Sequence, residues 1–233
     1  MVTGASSGIG RAIAVALARE GVRVAAIGRN PVTLAETVAA ARQFSNVAGF
    51  EIDLTADSQL QPLLQHLQAG SGGLDILIHS AGVIHQGLMQ AARVEDLDEQ
   101  YSTNVRAPYA LTKRLLPLLT KARGQIVFIN SSAGVSAKRA EIGQYSATKH
   151  ALKAIADSLR EEVNRKGIRV LTVYLGRTAT PMQATLFRQE EKAYHPEALL
   201  QPEDVASMVV QALMLPPTAE VTDLSMRPMQ KSY

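Results

Sequence analysis

The sequence predicts an α/β fold, a doubly wound parallel sheet of about seven strands with helices on both faces. Three observations lead there. Short β-like apolar runs recur along all 233 residues, and Ala- and Leu-rich stretches with helical spacing separate them. A glycine-rich turn, Thr3-Gly4-Ala5-Ser6-Ser7-Gly8-Ile9-Gly10, stands where the first strand should give way to the first helix. Connections between successive strands should then be right-handed crossovers.

Taken in order, the first strand should run into Thr3, yet only Met1 and Val2 precede it, against about five or six residues in a typical strand. Either a few residues belong ahead of Met1, or the central strand is short and holds its ligand more weakly. A helix is expected over 9–20, a strand over 22–27 and a helix over 31–42. Strands follow over 47–52, 74–78 and 125–129, a helix over 147–166, and strands over 169–173 and 221–226. No repeat, low-complexity tract or linker interrupts the series, so one domain over 1–233 is expected.

Composition narrows the function classes. Apolar residues make up 46%, which speaks against disorder. No apolar run approaches the roughly 20 residues of a membrane helix, and no signal peptide is visible, so a cytoplasmic location is expected. Cysteine is absent, which removes disulfides, thiolate catalysis and cysteine-bound metal. The net charge is only +3, with basic and acidic residues interspersed and aromatics at 4%, unlike a nucleic-acid-binding patch.

Gly4, Gly8 and Gly10 between a strand and a helix allow a tight turn and close approach of backbone to a pyrophosphate at the helix N-terminus. The competing reading is a purely structural turn. The next strand ends at Gly28-Arg29-Asn30 with no acidic residue to bind a ribose diol. Arg29 instead suits the 2′-phosphate of NADP, unless it is simply a solvated arginine at a helix start. Asp53 can hydrogen-bond an adenine amino group or cap the helix that follows.

Tyr145 and Lys149 lie one helical turn apart, with Ser132 thirteen residues before the tyrosine. Together these pieces resemble the short-chain dehydrogenase/reductase family over essentially the whole chain. The matching segments arrive in the family's order: the glycine turn, Asp53-Leu54, Ala81-Gly82, Asn104, Ser131-Ser132, Tyr145-Ser146-Ala147-Thr148-Lys149, and Gly176 with Thr180. The resemblance implies a single-domain Rossmann fold and reversible hydride transfer between NADP(H) and a small carbonyl or alcohol substrate. Tyr145 would be the general acid/base. Acting near pH 7 calls for a phenol lowered by roughly three pH units, about 4 kcal/mol, which Lys149 would help supply. Ser132 would orient the substrate oxygen, and Asn104 would hold a relay water. Ser6, Ser7, Ile9, Leu54, Ser80, Ala81, Gly82, Thr178 and Thr180 would join the glycines, Arg29, Asp53, Tyr145, Lys149 and Gly176 around the cofactor.

Two segments depart from the family pattern. His79-Ser80 replaces Asn-Asn ahead of Ala81-Gly82, and Leu175-Gly176 replaces Pro-Gly, which frees φ and restores a backbone N–H. His79 reads best as a structural histidine, and no histidine has metal-ligand spacing, so no metal is expected. Residues 181–196 fall where the family places a lid, with Met182, Leu186, Phe187 and Tyr194 as an apolar wall or as an ordinary packed helix face. The resemblance also implies a homodimer or homotetramer, through helices beginning near Tyr101 and Ala147. The rival reading is a non-catalytic NADP-binding regulator on the same fold. An epimerase or dehydratase is disfavoured by the short substrate-side extension.

Overall fold

The computed structural model describes residues 1–69 and 72–230. The elements in order are β1 (Val2–Thr3), α1 (Gly8–Arg19), β2 (Val24–Gly28), α2 (Pro31–Arg42), β3 (Val47–Glu51), α3 (Gln61–Ala69), β4 (Ile76–His79), α4 (Val94–Tyr101), α5 (Ala107–Ala122), β5 (Gln125–Ser131), α6 (Gly143–Val163), β6 (Arg169–Leu175), α7 (Pro181–Gln189), α8 (Pro202–Leu213) and β7 (Asp223–Met226). The strands form one seven-stranded sheet in the order β3-β2-β1-β4-β5-β6-β7, the doubly wound arrangement expected. The pairs β1–β2, β2–β3 and β4–β5 are parallel.

Strands covered on both faces need apolar residues throughout. All five residues of β2 are buried, as are Ile126, Val127, Phe128 and Ile129 of β5. Edge strand β3 is less covered: Val47 is buried, but Gly49 and Glu51 are exposed. Short β1 still pairs in register, Val2 with Ala26 and Thr3 with Ile27, and both of its residues are buried.

Two compact units are distinguishable. One comprises Met1–Glu51, Leu175–Glu220 and the segment from Ser225 onward; the other comprises Ile52–Tyr174 with Val221–Leu224. In the first, Ile13, Ala14, Leu17 and Ala18 give α1 a buried stripe, and α1 packs against α2 and α8. Asn30 caps α2 through Thr33 N at 3.0 Å, and Pro31 follows at the first helical position, which fixes the start of that helix where the sequence predicts it.

In the second unit, Leu152, Ala156, Leu159 and Val163 form the buried stripe of α6. This helix begins at Gly143, one turn earlier than the apolar periodicity suggests, so that Tyr145 and Lys149 both lie within it. A π-helical turn, Ser102–Arg106, joins α4 to α5 and contains Asn104. Such single wide turns are frequent at functional sites. His79 is buried, its Nε2 2.8 Å from Thr112 Oγ1 and its ring stacked on Phe128 at 4.9 Å. Burial pushes its pKa down to about 3, so the ring stays neutral in the fold.

Candidate active site

In the second unit, β5 and α6 bring the chemistry together. The Ser131 hydroxyl is hydrogen-bonded to the Tyr145 phenol. Counting thirteen residues back selects its neighbour Ser132. Ser131 ends β5 in extended conformation (φ −132°, ψ 153°), whereas Ser132 opens the short 3-10 turn Ser132–Gly134 and is exposed.

The tyrosine ring is partly exposed, but burial around its hydroxyl pushes the phenol up to about 12, outweighing the lowering by Ser131. That is opposite to the depression anticipated from Lys149. The cause is desolvation: Lys149 is itself buried and brought down to about 8. Its Nζ donates to Ile129 O at 3.2 Å and lies 5.7 Å from the centre of the tyrosine ring.

Asn130, which the sequence did not mark, holds these pieces in place. Its Nδ2 donates to Lys149 O at 3.1 Å, and its Oδ1 accepts from Ser131 N at 2.7 Å. A Cβ on Gly134 would lie 2.7 Å from that Oδ1 and 2.8 Å from Lys149 O, so only glycine fits there. Asn104 is buried and fully engaged: Oδ1 accepts from Val83 N at 2.9 Å, and Nδ2 donates to Val83 O at 2.9 Å and Thr148 Oγ1 at 3.1 Å. Thr148 in turn donates to Tyr145 O at 2.8 Å. The Asn104 side chain therefore ties the segment after β4 to the turn of α6 that carries Tyr145. Gly82 lies beside it, where a Cβ would come within 3.2 Å of Asn104 Oδ1. Ser80, Ala81 and Leu54 are all half-buried in this unit. The Asp53 carboxylate accepts from Thr55 N and Thr55 Oγ1 at 2.9 and 2.7 Å, closing its own turn.

The first unit contains the glycine turn ahead of α1. Gly4 (φ 65°) and Gly8 (φ 51°) adopt left-handed backbone, and a Cβ on Gly10 would lie 2.3 Å from Gly4 O. Exposed Ser7 precedes α1 without capping it, and the first turn, Gly8-Ile9-Gly10, has no acidic residue. Its N–H groups thus form an electropositive helix end that the Ser7 side chain does not cap. The Ser6 hydroxyl is buried without a partner, in space that a Cβ on Gly28 would fill. Arg29 follows at the exposed end of β2. Thr180 caps α7 through Gln183 N at 3.3 Å, and its methyl would lie 2.9 Å from a Cβ on Gly8. Thr178 is buried with its hydroxyl donating to Gly176 O at 3.1 Å, so it shapes the loop after β6. Gly176 N donates to Met226 O at 2.8 Å.

In the 181–196 segment, Leu186 and Phe187 are buried while Met182 is 40% exposed. Phe187 meets Tyr194 edge-on at 5.4 Å. Arg177 packs over Phe187 and bonds both oxygens of Glu190 at 2.8 and 2.9 Å. Among the described residues, no three His, Cys, Asp or Glu side chains gather as a metal cluster, and no helix is long and apolar enough to cross a membrane.

Known proteins share this arrangement of sequence and fold. The short chain dehydrogenase family model matches residues 1–191. The chain belongs to the short-chain dehydrogenase family. This dehydrogenase is 32% identical over 229 residues to an uncharacterized oxidoreductase of Staphylococcus aureus (strain MRSA252), covering 98% of the chain and 96% of the relative. It superimposes with TM-score 0.89 on the closed form of a serine dehydrogenase complexed with NADP+, at 28% identity, covering 100% of this chain and 95% of that one. An actinorhodin polyketide ketoreductase with NADPH matches at TM-score 0.86 and 27% identity, over 96% and 93% of the two chains. The protein is accordingly an oxidoreductase of this family.

Proposed function

We propose that the whole chain works as one catalytic domain, reducing a small-molecule carbonyl to an alcohol with NADPH and running in reverse with NADP. The observation that carries this reading is the convergence of Ser131 and Lys149 on Tyr145. The glycine cradle fits a dinucleotide pyrophosphate, and the orphaned Ser6 hydroxyl with Arg29 beyond it fits a 2′-phosphate. The serine dehydrogenase and ketoreductase relatives, whose structures contain NADP+ and NADPH, support the same cofactor. Gly4, Gly8, Gly10, Ser6 and Arg29 would hold its phosphates, and Thr180 its carboxamide. When bound, the nicotinamide supplies or accepts the hydride.

The rest of the reaction falls to side chains of this chain. With its phenol pushed up to about 12, Tyr145 is protonated at neutral pH, the form that a general acid requires. Ser131 orients the carbonyl oxygen and gives it a second hydrogen bond as charge develops there. Lys149, brought down to about 8, exchanges protons near neutrality and can restore the proton that Tyr145 gives up. Asn104 acts through structure, holding the loop after Gly82 against the turn that carries Tyr145 and Lys149. Residues 181–196 serve as the substrate lid. Exposed Tyr101 and Tyr109 on α4 and α5 favour a homodimer or homotetramer through that face.

The test is NADPH oxidation with a panel of diketones, sugars, acyl thioesters and hydroxy-amino-acid-derived ketones. Tyr145→Phe should lower turnover by about 10²-fold or more. Unchanged turnover in that variant overturns the mechanism. Equal use of NADH, insensitive to Arg29→Ala, removes the NADP assignment.

A further inference from the structure

A second amide network in the same unit adjoins the acid/base group and belongs to none of the roles above. Gln100, near the end of α4, is completely buried. Its Oε1 accepts from His85 N at 3.1 Å, and its Nε2 donates to Asp96 O at 3.1 Å and to Gln144 Oε1 at 3.1 Å. Gln144 immediately precedes Tyr145, and its own Nε2 donates to Arg93 O at 2.9 Å. Between these two anchors, Gly87 N donates to Glu141 O at 2.8 Å. Loop 83–93 is therefore fastened at His85, Gly87 and Arg93, in addition to Val83, which Asn104 holds by both its N–H and its carbonyl. Three of those anchors lead to the entry of α6, within a few residues of Tyr145.

A buried glutamine with both amide protons and its oxygen engaged costs little to keep and much to disrupt. An ordinary surface loop has no such anchoring, and its ordering would have to accompany ligand binding. We propose that Gln100 and Gln144 are positioning residues, a two-amide clasp that holds loop 83–93 as a preformed wall beside Tyr145 for the incoming carbonyl compound. The proposal rests on the reading of Tyr145 as the acid/base group. It goes beyond that reading by assigning substrate affinity to two side chains that touch neither cofactor nor reacting atoms.

The two arms can be separated. Gln100→Leu keeps the side-chain volume and removes all three hydrogen bonds. Gln144→Glu keeps an acceptor for Gln100 and loses only the donor to Arg93 O. The full-length variants are compared by hydrogen–deuterium exchange, NADPH titration and steady-state kinetics with phenanthrenequinone as the carbonyl probe. In Gln100→Leu, exchange at His85 and Gly87 should quicken by about tenfold and KM should rise by about tenfold, the loss expected when one or two net hydrogen bonds go. The NADPH dissociation constant should stay within about twofold of wild type. Gln144→Glu, at a half-buried position, should loosen the Arg93 end only and raise KM about threefold. Combining the two should add little to Gln100→Leu alone, because both act through one clasp.

Unchanged exchange over 83–93, or faster exchange with an unaltered KM, overturns the proposal. So does an NADPH constant that weakens in step with KM, which would mark a general structural role. Should the wild type reduce neither phenanthrenequinone nor any other member of the panel, the reading of Tyr145 fails separately, and the exchange pattern alone decides the clasp.

Discussion

Lys149→Met should make this protein more stable at neutral pH while removing its activity. Burial brings the Lys149 ammonium from its ordinary 10.5 to about 8. At about 1.36 kcal/mol per pH unit, the native state at pH 7 bears a penalty of roughly 3 kcal/mol for keeping that charge out of water. Methionine is apolar and of similar length, so it removes the penalty. It also removes the Nζ hydrogen bond to Ile129 O, a loss of about 1 kcal/mol. The variant should therefore be about 2 kcal/mol more stable at pH 7, roughly 4–8 °C in Tm for a chain of this size.

The pH dependence fixes the sign. Between pH 8 and 10.5 the unfolded wild type retains a proton that the native state has released, so wild-type stability rises with pH across that window. Above pH 10.5 the penalty is gone and only the lost hydrogen bond remains, leaving the variant about 1 kcal/mol less stable. Thermal denaturation of both proteins from pH 7 to 11, without added nucleotide, should show the two curves crossing. A variant less stable than wild type at pH 7, or a difference independent of pH, would refute the reasoning.

Three further outcomes follow from the geometry. Ser131→Ala should lower kcat by about 10- to 10³-fold while Ser132→Ala leaves it within about threefold; the reverse order in steady-state assays restores the residue that counting selects. Gly10→Ala places a methyl carbon 2.3 Å from Gly4 O, so NADPH affinity by fluorescence titration should fall at least about tenfold, with some loss of stability. His79 is held neutral at about 3 against an ordinary 6.5, so wild-type stability should drop as pH falls through that window, by up to roughly 5 kcal/mol. His79→Asn should flatten that acid limb in urea titrations at pH 4 and 7, and an equal slope in both proteins would contradict the assignment.

Much of the fold was legible because its signals are local. The helix over 31–42 was readable to the residue from its helical spacing, and the structure adds an asparagine cap and Pro31 that fix its start. Gly4, Gly8 and Gly10 were readable because left-handed backbone disfavours a side chain at two of them and a steric wall excludes one at the third. The start of α6 was misjudged because Gly143, Gln144 and Tyr145 add no apolar stripe. Their helical state is secured instead by neighbours, including the bond of Gln144 to Arg93. Thr178 belonged to a matching segment, yet its hydroxyl turns back on Gly176 O, a local choice that spacing cannot express.

By itself the sequence determined the doubly wound sheet, the glycine turn ahead of α1 and the Tyr145–Lys149 spacing, since strand and helix periods and a four-residue helical spacing are properties of contiguous chain. Tertiary structure alone decided three things. The Ser131 hydroxyl meets the Tyr145 phenol, because what the last side chain of a strand reaches depends on where the strand stops. Burial raises Tyr145 and lowers Lys149, because desolvation depends on everything packed around a group and not on its sequence neighbours. Asn130, Gln100 and Gln144 join these neighbours only in three dimensions, where residues as many as 51 positions apart in the chain share hydrogen bonds.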